Sequence, residues 1–228
     1  MKKRYPGLIA LIAVVLFSCK KDYTIGGSLH DPHVNMTTYD YLKTNPLFDT
    51  VRLLIDKTGL KDEVNSAGTF FSITDYDLDN YLDQKREYER IIRNDPNLPY
   101  TFDSLDFRAM KDSLRAYIFK DKITLDKTTK TGKLYKANDG ELRLIQGIPS
   151  SDYTNTGMFT QYPVYLYLTK IKPLPGSPVP TDDSGLPNVK PEQLLQAVCQ
   201  TTGIITTTGM LHVLNNNHTF TYFGDVNN

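Results

Sequence analysis

Thr208-Gly209-Met210-Leu211-His212-Val213-Leu214-Asn215 reads as a short strand entered through a glycine. Strand alternation places Met210, His212 and Leu214 on one face and Leu211 and Val213 on the other. Gly209, ahead of the strand, suits a turn that needs positive φ or a close backbone approach. His212 is the one polar side chain on an otherwise apolar face. The chemistry expected of it is that of a hydrogen-bonded core histidine rather than a catalyst.

Working outward, Thr37 with Asp40 three residues on predicts a helix start, and Asn45-Pro46 interrupts the helical pattern. A second helix carries Phe48, Val51, Leu54 and Ile55 on one face and ends at Gly59. Gly68 introduces Thr69-Phe70-Phe71-Ser72-Ile73, a β-rich run expected to be a buried strand. Thr74 with Asp77 caps a further helix, whose apolar positions are Leu78, Tyr81, Leu82, Tyr88, Ile91 and Ile92. Asn94 to Pro99 is a loop. Phe107, Met110, Leu114, Tyr117 and Ile118 then mark one face of another helix. Beyond Lys120 the pattern turns to β, with turns at Thr131-Gly132 and Asn138-Asp139-Gly140 and strands over Glu141–Ile145 and Tyr162–Ile171.

The segment from Lys172 to Pro191 holds six prolines and two glycines and is expected to be an exposed loop. Pro191 opens a short helix, and strands follow near Ile204–Thr206, Met210–Leu214 and Phe220–Phe223. No internal repeat is visible. The fold class is therefore α+β, with helices first, a sheet after them, and one domain over residues 35–228.

The N-terminus has another character. Lys2, Lys3 and Arg4 precede an apolar run from Leu8 to Phe17. A basic head and a short apolar core describe a secretory signal, and the run is about half the ~20 residues a membrane-spanning helix needs. Leu16-Phe17-Ser18-Cys19 resembles the bacterial lipobox. That resemblance implies removal of residues 1–18 and lipid on Cys19, with residues 19–34 as a tether that includes Gly26-Gly27-Ser28. The whole chain balances 26 Lys+Arg against 26 Asp+Glu. Loss of the signal removes three cations and no anion, leaving 23 against 26, a net charge of −3. Such a chain has no basic excess to attract nucleic acid. The expected localisation is the outer membrane, and Lys20-Lys21-Asp22 resembles signals that carry some lipoproteins to its outer face, which slightly favours the cell surface over the periplasmic face.

Four segments, in order, resemble the fasciclin domain family. Thr38-Tyr39-Asp40-Tyr41-Leu42-Lys43 with Phe48-Asp49-Thr50-Val51 and Gly59-Leu60 is similar to that family's opening. Gly68 to Asp75 is similar to its first signature, with Ser72-Ile73-Thr74-Asp75 where members have Ala-Pro-Thr-Asn. Leu114-Arg115-Ala116-Tyr117-Ile118 carries the tyrosine of a central Tyr-His pair, with Ile118 in place of the histidine. Thr208 to Asn215 resembles the closing Asn-Gly-Val-Ile-His-Val-Ile-Asp, identical at Gly209, His212 and Val213. The resemblance spans about residues 35–223, and the region from Asp83 to Asp106 and the proline-rich loop enlarge the domain. It implies structural roles for Tyr117, Gly209 and His212, and a non-catalytic adhesion or binding module with protein or glycan contacts. Similar bacterial lipoproteins accompany outer-membrane glycan uptake. The alternatives are a glycan-acting hydrolase and a purely structural envelope protein.

Candidate chemistry is sparse. Asp75-Tyr76-Asp77-Leu78-Asp79-Asn80 begins like a calcium loop, but the position for the bidentate glutamate holds Arg86 and the sixth position lacks glycine. A capped helix start is the better reading. His30-Asp31-Pro32-His33 lacks a four-ligand set, so no metal and no cofactor are expected. Cys199, in Leu194-Leu195-Gln196-Ala197-Val198-Cys199, reads as a small buried core residue. The binding surface expected from sequence is the tyrosine strand, Tyr162 with Tyr165 and Tyr167. Val164, Leu166 and Leu168 point one way and Tyr165 and Tyr167 the other, and an exposed tyrosine face would offer stacking area to a sugar or protein.

Overall fold

Capping and apolar spacing shape the helical half. The computed structural model describes residues 31–150 and 162–222. The signal segment, Cys19 and the Gly26-Gly27-Ser28 tether fall outside those residues, as does Phe223. Helix α1 spans Thr38–Leu42, with Thr37 accepting from the Asp40 N–H. A 3-10 turn at Pro46–Phe48 leads into α2, Asp49–Thr58, which ends on Gly59 at φ 67°. A short α3, Lys61–Asn65, follows. Helix α4, Asp75–Arg93, starts in a full capping box between Thr74 and Asp77. Helix α5 covers Phe107–Arg115.

The two aspartates that open the calcium-like run act as caps. Asp77 closes the box on Thr74 N–H at 2.7 Å. Asp75 reaches across to α2 and accepts from the Thr50 and Val51 N–H groups at 3.0 Å each. A carboxylate at each helix start also meets the positive end of the helix dipole. Among the described residues, no group of three or more His, Cys, Asp or Glu side chains is placed to hold a metal ion.

Seven strands form one sheet in the order β2-β1-β7-β6-β5-β4-β3. They are β1 Thr69–Ser72, β2 Ile118–Phe119, β3 Lys133–Lys136, β4 Leu142–Pro149, β5 Val164–Ile171, β6 Leu194–Ile205 and β7 Met210–Leu214. Strands β1 and β7 run parallel, Phe71 opposite His212, and the remaining pairings are antiparallel. Phe119 bridges to Ala137, and the Asn138 N–H donates to Ile118 O at 2.8 Å, so the outermost strands β2 and β3 nearly close the sheet on itself. One core joins the helices to the inner sheet face, with Phe70, Phe71, Leu78, Leu114, Leu166 and Phe220 fully buried.

The structure amends several local expectations. Residues 32–34, assigned to the tether, belong to the folded unit that begins at Pro32. The Val34 N–H donates to Ile205 O and the Ile205 N–H to Pro32 O, both at 2.8 Å, because the end of β6 lies beyond the reach of β5 and takes this segment as its neighbour. Strand β6 is twelve residues long. It absorbs the apolar stretch through Cys199 and leaves only one 3-10 turn, Pro191–Gln193, where a helix was expected.

Over its described residues, the strand expected near Phe220–Phe223 is not formed. Phe220–Tyr222 forms a 3-10 turn with φ of 64° at Thr221 and 53° at Tyr222, since burying both aromatic rings and donating the Thr221 N–H to Tyr117 requires the chain to fold back. Tyr117 and Ile118 lie past the end of α5, and Ile118 begins β2.

The proline-rich segment is also less exposed than its composition suggests. Leu186, with Val179 and Val189, packs on Leu134, Leu144 and Ile171 of the outer sheet face, a second, smaller apolar cluster. Helix α4 outruns the core, so Tyr88, Ile91 and Ile92, expected on its buried face, are exposed. No helix among the described residues is long and apolar enough to cross a membrane.

Candidate functional site

The residues singled out at the end of the sheet are held rather than free. His212 sits at the centre of the parallel β1–β7 pair, fully buried, with its ring 4.9 Å from that of Phe71. Its Nδ1 accepts from the Gly203 N–H at 3.1 Å, which leaves Nε2 to donate to Ile123 O at 3.0 Å. Protonating the ring would set an N–H against the Gly203 N–H. Burial lowers its pKa to about 4, although the Ile123 bond pulls the other way. His212 is a neutral strut between three segments.

Gly209 meets the second of its two expected reasons, close approach. A Cβ there would lie 2.2 Å from Ala67 O. Its N–H donates to Thr206 Oγ1 at 3.0 Å, and the neighbouring Met210 N–H donates to Gly68 O at 3.0 Å.

Tyr117, followed by Ile118 where the family pattern has histidine, finds a histidine elsewhere in the chain. Its hydroxyl is 2.8 Å from His218 Nε2 and accepts the Thr221 N–H at 2.9 Å. The Tyr117 ring stacks on Phe220 at 5.7 Å, and His218 meets Tyr222 edge-on at 4.6 Å. Burial holds the Tyr117 pKa well above its usual value and lowers that of His218 to about 3. Sequence reading missed His218. The signal was present only indirectly, as a core tyrosine in need of a polar partner. Cys199 is buried, and desolvation raises its thiol pKa far above the ordinary range, which makes it an inert packing residue.

The tyrosine strand divides as alternation requires. Leu166 and Leu168 are fully buried on the inner face, while Tyr165 and Tyr167 stand half-buried on the outer one. Val164, expected on the same side as the leucines, is 39% exposed because it lies at the strand's first position. Tyr162, just before β5, is 49% exposed. Tyr165 pairs with Ile148 of β4, and Tyr167 lies between Gln146 of β4 and Val198 of β6. Gln196 donates to Gln146 Oε1 at 3.2 Å, and Gln146 donates to Lys130 O at 3.0 Å, so the amides beside the rings are fixed. The result is a platform of two phenols, two aliphatic side chains and an amide pair, at the end of the outer face away from the Leu186 cluster. It can stack against an apolar surface and hydrogen-bond at its edges. The chain matches no known family profile, and no characterised protein matches it either.

Proposed function

We propose that this chain is a non-catalytic binding module of the cell envelope, held at the outer membrane through lipid on Cys19 and contacting a protein or glycan partner through the outer sheet face. The carrying observation is the half-buried pair Tyr165 and Tyr167 beside Ile148 and Val198. Rings already fixed by packing lose little entropy on contact, which favours them as anchors at interfaces. Membership of the fasciclin family is part of the proposal. It is supported by the in-register adjacency of β1 and β7, the strands that carry the first and closing motifs.

Two experiments test this reading. In the full-length protein, Tyr165→Ala with Tyr167→Ala is expected to abolish capture of a partner by crosslinking in detergent-solubilised membranes and to clear any signal from a glycan array. Capture identical to that of the natural chain would remove the tyrosine face from the proposal. Cys19→Ser is expected to move the protein from the membrane to the soluble fraction, because acyl chains supply the anchoring. Retention in the membrane pellet would overturn the lipid anchor.

A further inference from the structure

A notch of about 290 Å³ opens on the other side of the same strand, between the end of α5, the β3–β4 turn, β5 and the Phe220–Tyr222 turn. Its lining includes Tyr117, Tyr222, Arg143, Asp139, Glu141 and Lys170. Arg143 is an unusual residue to find there. Its side chain is 3% exposed, with Nη2 2.6 Å from Asp139 and Nη1 2.9 Å from Glu141. Its Nη1 also donates to Leu142 O at 3.2 Å, and its Nε–H is buried with no hydrogen-bond partner among the described residues. Lys170 approaches Glu141 from the opposite rim at 3.7 Å. Partial burial works to raise the Glu141 pKa, but Lys170 and Arg143 outweigh it and keep the carboxyl below its usual value.

The ionic character of the notch narrows what would enter. Arg143 and Lys170 are matched by Asp139 and Glu141, and Asp112 on the rim is itself paired with Arg115 at 3.2 Å. An anion would therefore meet no unmatched cation. A neutral molecule bearing several hydroxyls meets what it needs, because each hydroxyl both donates and accepts. The carboxylates accept, Lys170 donates, and bonds to charged partners are the strong ones. Tyr117, Tyr222 and Ala116 supply apolar surface for the carbon skeleton. The volume lies at the lower end of small-molecule sites, which run from about 300 to 1,000 Å³.

We propose that this notch binds one neutral sugar ring, with adjacent hydroxyls gripped between Glu141 and Lys170 above the buried Arg143. The assignment deepens the binding-module reading by naming a ligand class. It has its own residues: alternation puts Lys170 on the face opposite Tyr165 and Tyr167. The ligand is either a free monosaccharide or the terminal residue of a glycan.

The test is saturation-transfer NMR and calorimetry on the full-length chain in a detergent without a sugar headgroup. The probes are neutral methyl hexosides, the corresponding uronic acids, and neutral disaccharides. Binding of a neutral hexoside at millimolar concentration is expected, with the uronic acid weaker. Glu141→Gln and Lys170→Met, both at the rim, are each expected to weaken binding about tenfold, the effect of losing a hydrogen bond to a charged group, and the thermal midpoint of Lys170→Met stays in place. A disaccharide that binds more tightly than the monosaccharide identifies a glycan end as the ligand, and equal affinity identifies the free sugar. No saturation transfer at tens of millimolar, binding unchanged in both variants, or binding by the uronic acid alone would overturn the proposal. Failure here leaves partner capture through Tyr165 and Tyr167 standing, and failure of that capture leaves this titration unaffected.

Discussion

Asparagine in place of Asp77 is expected to convert a fold that tolerates mild acid into one that loses about 4 kcal/mol between pH 8 and pH 5. Two opposing linkages lie behind this. His212 and His218 titrate at about 4 and about 3 in the fold, against 6.5 for a free histidine. Below pH 6.5 the unfolded chain binds protons that the folded chain refuses, so stability falls as pH falls, by about 2 kcal/mol for each histidine at pH 5.

Asp77 works in the opposite direction. Burial raises its pKa to about 7 from 3.8, despite the lowering influence of its Thr74 hydrogen bonds, and its Oδ1 has no partner among the described residues. As pH falls through 7, the folded chain takes up that proton first and regains about 2.5 kcal/mol by pH 5. The natural chain should therefore lose only about 1.5 kcal/mol over the same range. Asparagine removes the compensation and leaves the histidines unopposed. Urea unfolding of both proteins at pH 8, 6.5 and 5 measures the difference directly, since every other titrating group contributes equally and cancels. Parallel stability curves would mean that Asp77 is ionised normally in the fold.

Gly209→Ala is expected to destabilise the protein by about 3 kcal/mol, the upper end of the usual overpacking range. The added carbon would stand 2.2 Å from Ala67 O, which is backbone and has no rotamer to yield. Nor can Gly209 itself retreat. Its carbonyl accepts from both Thr206 N–H at 2.9 Å and Thr206 Oγ1 at 3.0 Å, its N–H is tied to the same hydroxyl, and β7 begins at the next residue. The variant should show a lower urea midpoint with an unchanged slope, as a pure stability loss does. An unchanged midpoint would show that the β1–β7 entrance relaxes freely.

Both cases show where sequence reading succeeds and where it stops. Thr74 with Asp77, Gly59 after α2, the buried run Thr69–Ser72 and the strand around His212 were legible because caps and alternation are written within a few neighbouring residues. The half-exposure of Tyr165 and Tyr167 was not, because a two-faced strand says nothing about what covers either face. The fold of Phe220–Tyr222 was misread for a related reason. Its aromatic pattern suits a strand, and only the cavity it fills makes it turn.

By itself the sequence determined the α+β class, the helix boundaries near their caps, the closing strand and the core character of His212. Each follows from local backbone preferences and apolar spacing. The tertiary structure alone decided that Tyr117 meets His218 across 101 residues of chain, that Arg143 is buried between two carboxylates, and that Asp77 carries a carboxyl near neutrality. Desolvation and partner choice depend on which distant strands come into register, and no window of neighbouring residues contains that information.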